Sequence, residues 1–483
     1  MEKVSKKAIG IDKYQDFDEW YHTVLREADI VDIRYPVKGM IVWRPYGLKA
    51  LRLTQKILID LLEKTGHQEA YFPALILESV FAKEHDFLEG FGGESFVVDG
   101  TGTKKFNERY YLRPTSETVM YYMWSIWIKG RKDLPLKMYQ NVNVFRYETK
   151  MTHPILRVRE IMGFIEAHTA HATPEEAENQ IKEAVCIYKE FFDKLLIPYF
   201  IVKTPPWDTF AGAEYNYDFV TVMPDGKGLE LGSVINLGQR FSRAFDIKFM
   251  DTNGSMKYVY QTCYGVSERV LGAVIGIHGD EIGLFIPPVI APIQVIIVPI
   301  ARPDEKEILE YAAKVRDYLV SNGIRARLDD DPEHTPGWKY YFWEMKGIPT
   351  RIEIGQREVR TNTATIARRD HGRKVTVKID ELINELATTW QSITAPLRQR
   401  ALQHLERSTV LSHDCSPMSE KPRGLIITPW DGSREEAEEL EKLFERSLLG
   451  EIAESPIKLP SPLNYRTCTG KPADRWALLG VTY

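Results

Sequence analysis

Asn143-Val144-Phe145-Arg146-Tyr147-Glu148-Thr149-Lys150-Met151-Thr152-His153-Pro154-Ile155-Leu156-Arg157-Val158-Arg159-Glu160-Ile161-Met162-Gly163-Phe164-Ile165-Glu166 is the stretch on which the reading of this chain turns. Apolar and charged residues roughly alternate through Val144–Glu148 and again through Leu156–Ile161, the period of a β-strand. The polar segment Lys150–Pro154 between them is too long for a two-residue hairpin turn. The pattern predicts two antiparallel strands, apolar on one face and carrying Arg146, Glu148, Arg157 and Arg159 on the other. Ionised groups are costly to bury without partners, so the charged face is either a solvent-facing hairpin laced with salt bridges or the lining of a wet pocket. Forked guanidiniums on neighbouring strands suit a polyphosphate held between them. The hairpin alone leaves both readings open.

Working outward, 483 residues leave room for about three domains. With 43% hydrophobic and 27% charged residues the composition is that of a globular protein with an ample core. A net charge of −5 exerts no global pull on polyanions, so a nucleic-acid surface must be a local basic patch. Four scattered cysteines without a CxxC pair argue against a disulfide scaffold and fit a reducing compartment. Met1–Tyr14 is charged and lacks the apolar run of a signal peptide. Leu284–Ile300, the most apolar run, is broken by four prolines and a glutamine, which excludes a membrane span. The expectation is a cytoplasmic protein.

Before the hairpin, helical spacing predicts helices over Asp16–Ala28 and Leu48–Thr65, the second stopped by Gly66. A strand over Gln68–Leu77 follows, interrupted by Pro73, which places it at an edge or an interface. Gly90–Lys104 lacks GxGxxG spacing and reads as loop, and no GxxxxGK[ST] occurs, which excludes a P-loop. Tyr110–Leu112 is a short strand leading into Arg113-Pro114-Thr115-Ser116-Glu117, where Thr115 or Ser116 caps a helix over Val119–Ile128.

After the hairpin come a helix (Pro174–Phe192), five β-like runs between Tyr199 and Cys263, and a helix over Val266–Ile277. An antiparallel sheet backed by helices makes this part α+β. Beyond Pro287-Pro288 and Pro292 strands and helices alternate, predicting an α/β domain with a basic and aromatic surface of the kind that holds single-stranded bases. An ordinary charged surface is the competing reading. The tail holds an Arg- and Gln-rich helix, a strand over Gly424–Pro429, an acidic helix over Ser433–Ser447 and a final strand over Trp476–Tyr483. The boundaries expected are 1–288, 289–392 and 393–483.

Taken together these pieces resemble a class II aminoacyl-tRNA synthetase. The helix and strand ending at Pro73 look like motif 1, Phe145-Arg146-Tyr147-Glu148 with Arg157 like motif 2, and Gly265-Val266-Ser267-Glu268-Arg269 like motif 3. Class I signatures are absent. Within class II the chain resembles the prolyl-tRNA synthetases of archaeal and eukaryotic type. The carriers are Arg113-Pro114-Thr115-Ser116-Glu117, Glu166-Ala167-His168-Thr169-Ala170-His171, Phe210-Ala211-Gly212, Asn236-Leu237-Gly238-Gln239 and His278-Gly279-Asp280. Gly337-Trp338-Lys339, Lys346-Gly347-Ile348-Pro349 and Glu353-Ile354-Gly355 look like the family's anticodon-binding domain. Arg157 to Arg269 leaves no room for the bacterial editing insertion.

The resemblance implies ATP-dependent formation of prolyl-adenylate, then transfer of proline to the terminal adenosine of tRNA(Pro). Arg146, Arg157 and Arg269 would be the catalytic arginines. Proline would meet Thr115, Glu117, Arg146, Phe164, Glu166, His168, Phe210 and Ile235. ATP would meet Arg146, Glu148, Arg157, Glu230, Ser233 and Arg269, with Mg²⁺ on its phosphates. Arg327, Trp338, Lys339, Lys346, Glu353 and Arg368 are the implied anticodon contacts, and motif 1 around Pro73 implies a homodimer. A non-catalytic tRNA-binding relative is the alternative, and so is a class II enzyme for threonine, serine or glycine.

Three departures stand out. Glu230 replaces the family's usual Gln, Ile235 its usual His, and the tail keeps only Cys468 of a frequent zinc site. No structural zinc is therefore expected, and no metal at the paired histidines His168 and His171, which lack a third ligand along the chain.

Overall fold

Leu136–Phe145 and Glu160–His171 pair antiparallel from Leu136↔Ala170 out to Phe145↔Glu160, so the hairpin forms. In the computed structural model, which describes residues 9–83, 95–149, 151–302, 305–412 and 423–483, regular pairing stops where the charged positions begin. The Arg159 N–H donates to Gly39 O at 2.8 Å, so a third segment takes the ladder hydrogen bond and the strands part. Arg146, Glu148, Arg157 and Arg159 thus lie on the connection and not on strand faces, a correction to the alternation reading. Lys150 lies outside the described residues.

The hairpin belongs to an eleven-stranded sheet. Its centre runs Phe200–Lys203, Tyr215–Val222, Gly228–Gly238, Tyr260–Val266, Glu160–His171 and Leu136–Phe145, each antiparallel to the next. Gln68–Glu69 adds a short parallel edge strand against Leu136–Phe145. The predicted strand Gln68–Leu77 is therefore two. Leu75–Leu77 joins a separate sheet with Lys105–Leu112 and Val97–Gly100, and Pro73, lacking an N–H, sits in the break. Val97–Gly100 also corrects the loop expected over Gly90–Lys104, of which residues up to 94 fall outside the described set.

Helices Pro45–Lys64, Pro174–Lys194 and Arg269–His278 back the sheet. The second begins where its sequence signals it. Thr173 accepts the Glu176 N–H at 3.2 Å, Pro174 opens the first turn and Glu175 and Glu176 meet the positive end of the helix dipole. Its stripe Ala177, Ile181, Ala184, Tyr188 and Phe191 is buried against the strands. Each large side chain so removed from water contributes ~1.5–3 kcal/mol. Among the described residues no helix is long and apolar enough to cross a membrane.

The second sheet orders Ala326–Leu328, Val295–Pro299, Thr350–Ile354, Thr363–Arg368 and Lys374–Lys378, the first three parallel and the last two antiparallel. Helix Leu382–Arg407 then runs unbroken through residues 392 and 393. The tail is built into the first sheet: Ser447–Glu454 pairs with Phe200–Lys203 and brings Arg475–Gly480, Leu425–Trp430 and Thr409–Leu411 with it. Leu405, Ile427, Trp476 and Leu478 share one core with Phe200, Val202 and Val222. Cys186 and Cys263 are free thiols.

Candidate active site

Side chains on a strand alternate between faces, and four adjacent strands turn alternate residues toward one cavity of about 300 Å³. Glu160–His171 supplies Phe164 and Glu166, Tyr260–Val266 supplies Cys263 and Gly265, Gly228–Gly238 supplies Ser233 and Ile235, and Tyr215–Val222 supplies Asn216 and Asp218. Between Phe219 and Val220 the register slips so that Leu231 is extra. This bulge rotates Glu230 onto the face of Ser233, whose hydroxyl donates to Glu230 Oε1 at 2.9 Å. Gly265 is required opposite Phe164, because a Cβ there would stand 2.7 Å from the ring's Cζ.

One end of the cavity is acidic and buried. Thr115 ends the segment before helix Glu117–Trp127, and its hydroxyl hydrogen-bonds to both Glu117 and Glu166. Ser116 takes the helix N-cap position without a side-chain cap bond and instead receives the Gln140 amide, so the expected capping role falls to neither Thr115 nor Ser116. A hydroxyl has one hydrogen. Two carboxylates on one hydroxyl therefore need a proton or a cation between them. Burial, then the Glu166 charge, pushes the Glu117 carboxyl up. Burial also opposes the Glu166 charge, but His168 and the neighbouring hydroxyls outweigh it and hold Glu166 low.

His168 lies beneath the cavity floor, fully buried, with Tyr121 Oη 2.9 Å from Nδ1 and Glu166 Oε1 3.6 Å from Nε2. His171 turns away to Thr169. Ile235 is buried directly across the ladder from Cys263.

The other end is basic. Arg146 donates from Nε to Pro114 O at 3.0 Å, with its guanidinium 5.7 Å from the Phe164 ring centroid. Arg269 donates from Nε to Leu156 O at 2.9 Å and from Nη1 to Glu230 O at 3.3 Å. Both arginines line the cavity. Arg157 and Glu148 do not. They pair with each other at 2.6 Å just outside it, beside Arg159 stacked 3.8 Å from the Tyr147 centroid.

Beside Glu230, burial followed by the Glu230 charge raises the Asp218 carboxyl to about 7. Asp208 also lines this side. Sequence reading brought together Thr115, Glu117, Arg146, Phe164, Glu166, Phe210, Glu230, Ser233, Ile235 and Arg269, and missed Cys263, Asn216, Asp218 and Asp208. The period-2 phase of the strands carrying Ile235 and Phe164 is the signal that reaches the first three.

An amine-sized acidic end joined to an arginine-lined end is the arrangement of an enzyme that condenses an amino acid with a nucleotide. The comparisons with known proteins agree. Residues 97–278 match the tRNA synthetase class II core domain (G, H, P, S and T), and residues 294–389 match an anticodon-binding domain. The proline–tRNA ligase of Pyrococcus abyssi is 44% identical over 475 residues, covering 97% of this chain and 98% of that protein. The chain belongs to the proline–tRNA ligase family. The Methanocaldococcus jannaschii proline–tRNA ligase is 46% identical over 444 residues, covering 90% of this chain and 96% of its own length. A Giardia lamblia prolyl-tRNA synthetase in complex with prolyl-adenylate superposes with a TM-score of 0.90 at 34% identity, covering 97% of this chain and 99% of that one. As in other proline–tRNA ligases, the fold is the class II core followed by an anticodon-binding domain.

In that second domain Trp338 is 44% exposed and stacks between His334 and Phe342, with centroids 3.7 and 4.9 Å away. Arg327 is exposed, 5.2 Å from the Trp343 ring. Lys339, Lys346 and Glu353 are buried. Lys339 bonds to Asp329, Lys346 to Asp29 of the catalytic part, and Glu353 to Arg351 and Lys374. Arg368 pairs with Asp370 at 2.6 Å.

Proposed function

We propose that this chain attaches proline to tRNA(Pro) in two steps, with the cavity between Thr115 and Arg269 as the site of prolyl-adenylate formation. The observation that carries the reading is the junction, in one cavity, of the Thr115–Glu117–Glu166 cluster with Arg146 and Arg269. The secondary ammonium of proline offers two donors, which the Thr115–Glu117–Glu166 cluster accepts. Phe164, Phe210 and Ile235 enclose the ring, with His168 holding Glu166 from below.

The carboxylate then lies toward Arg146. Attack on the α-phosphate of ATP builds negative charge on a crowded phosphorus, and fixed guanidiniums lower that barrier without proton transfer. Arg146 is held for this by Pro114 O, and Arg269 by Leu156 O. Arg157 reaches the nucleotide by exchanging Glu148 for phosphate, which frees Glu148 for the adenine edge. The oxygen donors Glu230, Asp218 and Ser233 fit a hard cation. Mg²⁺ bound there with ATP supplies charge neutralisation to the phosphates.

The exposed edge of Trp338, whose faces are taken by His334 and Phe342, and Arg327 form the contact surface for an anticodon base, with Arg368 at its margin. Lys339, Lys346 and Glu353 support that platform through buried ion pairs. We assign the homodimer contact to the strip around Pro73, where Tyr71 is 76% exposed and Leu75 45%. A cytoplasmic location supplies both ATP and tRNA. The parts run 1–288, 289–392 and 393–483, with helix Leu382–Arg407 spanning the second boundary and the last part bound to the first through its strands.

ATP–pyrophosphate exchange with proline, alanine, cysteine and threonine tests the reading. Exchange with proline well above the others is expected. Exchange driven by another of the four, or by none, overturns it.

A further inference from the structure

Helix Arg269–His278, whose first residue reaches the cavity, ends inside the protein, and every residue from Val270 to His278 is buried. The last four carbonyls of a helix have no partners within it. Here Gly279 leaves the helix at φ −57° and ψ 156°, and the Asp280 N–H turns to Gly283 O at 2.9 Å. The Gly279 N–H serves Ile275 O at 3.0 Å, which leaves three carbonyls to be met from elsewhere. Lys13, more than 260 residues earlier, meets two of them. Its Nζ donates to Gly276 O and Ile277 O at 3.0 Å each, and to Gly279 O at 2.5 Å. Arg400 Nη2 donates to His278 O at 3.3 Å. An ammonium has three hydrogens, and all three are used on this helix end, where the dipole favours a positive charge.

The chain that brings Lys13 also grips the helix along its side. Gly272, Gly276 and Gly279, spaced i, i+4 and i+7, leave no room for side chains. A Cβ on Gly272 would stand 2.5 Å from Leu156 Cδ2 and 2.9 Å from Tyr21 Oη. One on Gly276 would stand 3.2 Å from Phe17 Cζ, and one on Gly279 2.4 Å from a Trp20 ring carbon. Phe17, Trp20 and Tyr21 belong to helix Phe17–Glu27, which follows Lys13 closely. Leu156, packed on Gly272, is the residue whose carbonyl accepts Arg269 Nε at 2.9 Å. At the cavity end the helix carries no side-chain cap. Its anchorage is at the other end.

We propose that Lys13 is a positioning residue for Arg269: by closing the buried end of this helix, it fixes where the guanidinium meets the phosphates of ATP. Ten residues make a rigid rod of about 15 Å, so a shift at one end is carried to the other. The inference rests on the reading of Arg269 as a nucleotide-binding residue and adds a distant anchor to it. In sequence Lys13 belongs to a charged stretch without a motif, and only the fold brings it to this helix.

Affinities of the full-length chain for ATP and for proline are measured by calorimetry, with Lys13→Met beside the wild type. Methionine keeps the apolar stem and removes the donors. ATP affinity is expected to fall about tenfold with proline affinity unchanged. A merely structural role lowers the number of competent sites without shifting one affinity alone. Unchanged ATP affinity, or a parallel fall for both ligands, overturns the inference. Should that variant not fold, Lys13→Arg replaces it. A planar guanidinium keeps the charge but cannot aim three hydrogens from one nitrogen, so the same selective fall is expected and its absence is equally decisive. Wild-type protein that binds ATP yet shows no proline-dependent exchange overturns the ligase reading and leaves this inference to stand or fall on the affinities. A wild type that binds no ATP overturns both.

Discussion

Glu268 precedes Arg269 at the start of its helix, fully buried, with Oε1 accepting the Met162 N–H at 3.2 Å and Oε2 without a partner. Burial pushes its carboxyl up to about 8. The folded chain thus keeps a proton that the unfolded chain releases above about 4.5, and stability falls as pH rises between those values. Glu268→Gln should match the wild type in thermal unfolding at pH 5 and exceed it at pH 8, by the equivalent of ~2–4 kcal/mol. Ile235 poses a specificity question at the same scale. It packs with Leu237 and Phe241 and faces Cys263 across the ladder, which makes that wall apolar. Shape alone separates small amino acids by only ~1–3 kcal/mol. Ile235→His should shift the proline-to-alanine and proline-to-cysteine activation ratios by about tenfold; unchanged ratios in exchange assays would count against a role for this wall. Thr115, Glu117 and Arg146 were legible because their motifs mark them. Asp218 and Cys263 were not, since a residue of a mixed strand declares itself only once the inward face is known.

Helix Pro336–Met345 begins at Thr335, whose hydroxyl accepts the Trp338 N–H at 3.3 Å, and this cap fixes where Trp338 emerges. The faces of Trp338 are taken by His334 and Phe342, so its exposed edge is what meets an anticodon base, and a base–aromatic contact is worth up to ~1–3 kcal/mol. Trp338→Ala should lower tRNA charging by about 10–100-fold while leaving proline-dependent exchange unchanged, measured side by side on one preparation. The same helix shows the limit of composition as a guide. Lys339 and Lys346 counted toward a basic surface in sequence, yet both are consumed by carboxylates in the interior. At this scale the alternation of strands and helices beyond Pro292 was legible, because β-branched runs such as Val295–Pro299 bounded by turn signals leave little choice. The hairpin was read in kind but displaced along the chain. Its alternation continues past Phe145, where the Arg146 N–H still donates to Arg159 O at 2.9 Å but the Arg159 N–H turns to Gly39 O. The tail strand Ser447–Glu454 has no counterpart in the sequence reading, which ends the acidic helix at Ser447; its partner lies more than 240 residues earlier.

Four buried histidines are fixed by hydrogen bonds, three of them across long stretches of chain: His67 to Tyr264, His278 to Leu195 O at 3.0 Å and His404 to Val222 O at 3.1 Å, with His171 bonded locally to Thr169. Burial lowers each to about 4. Below about 6.5 the unfolded chain takes up protons that the folded chain refuses, so stability drops as pH falls from there toward 4, by up to ~1.4 kcal/mol per pH unit for each histidine. Denaturant titrations between pH 7 and 4.5 should show that decline, and His404→Gln should make it shallower. The continuous sheet also has a consequence for how the protein is made. Phe200–Lys203 is interior only because Ser447–Glu454 lies beside it. On the ribosome that partner emerges about 240 residues later, roughly 10–50 s at ordinary elongation rates. For that interval the nascent chain carries an unpaired, apolar strand edge of the kind that recruits other strands. Newly made chains therefore depend on a holding factor, or on fast completion, in a way the finished enzyme never does.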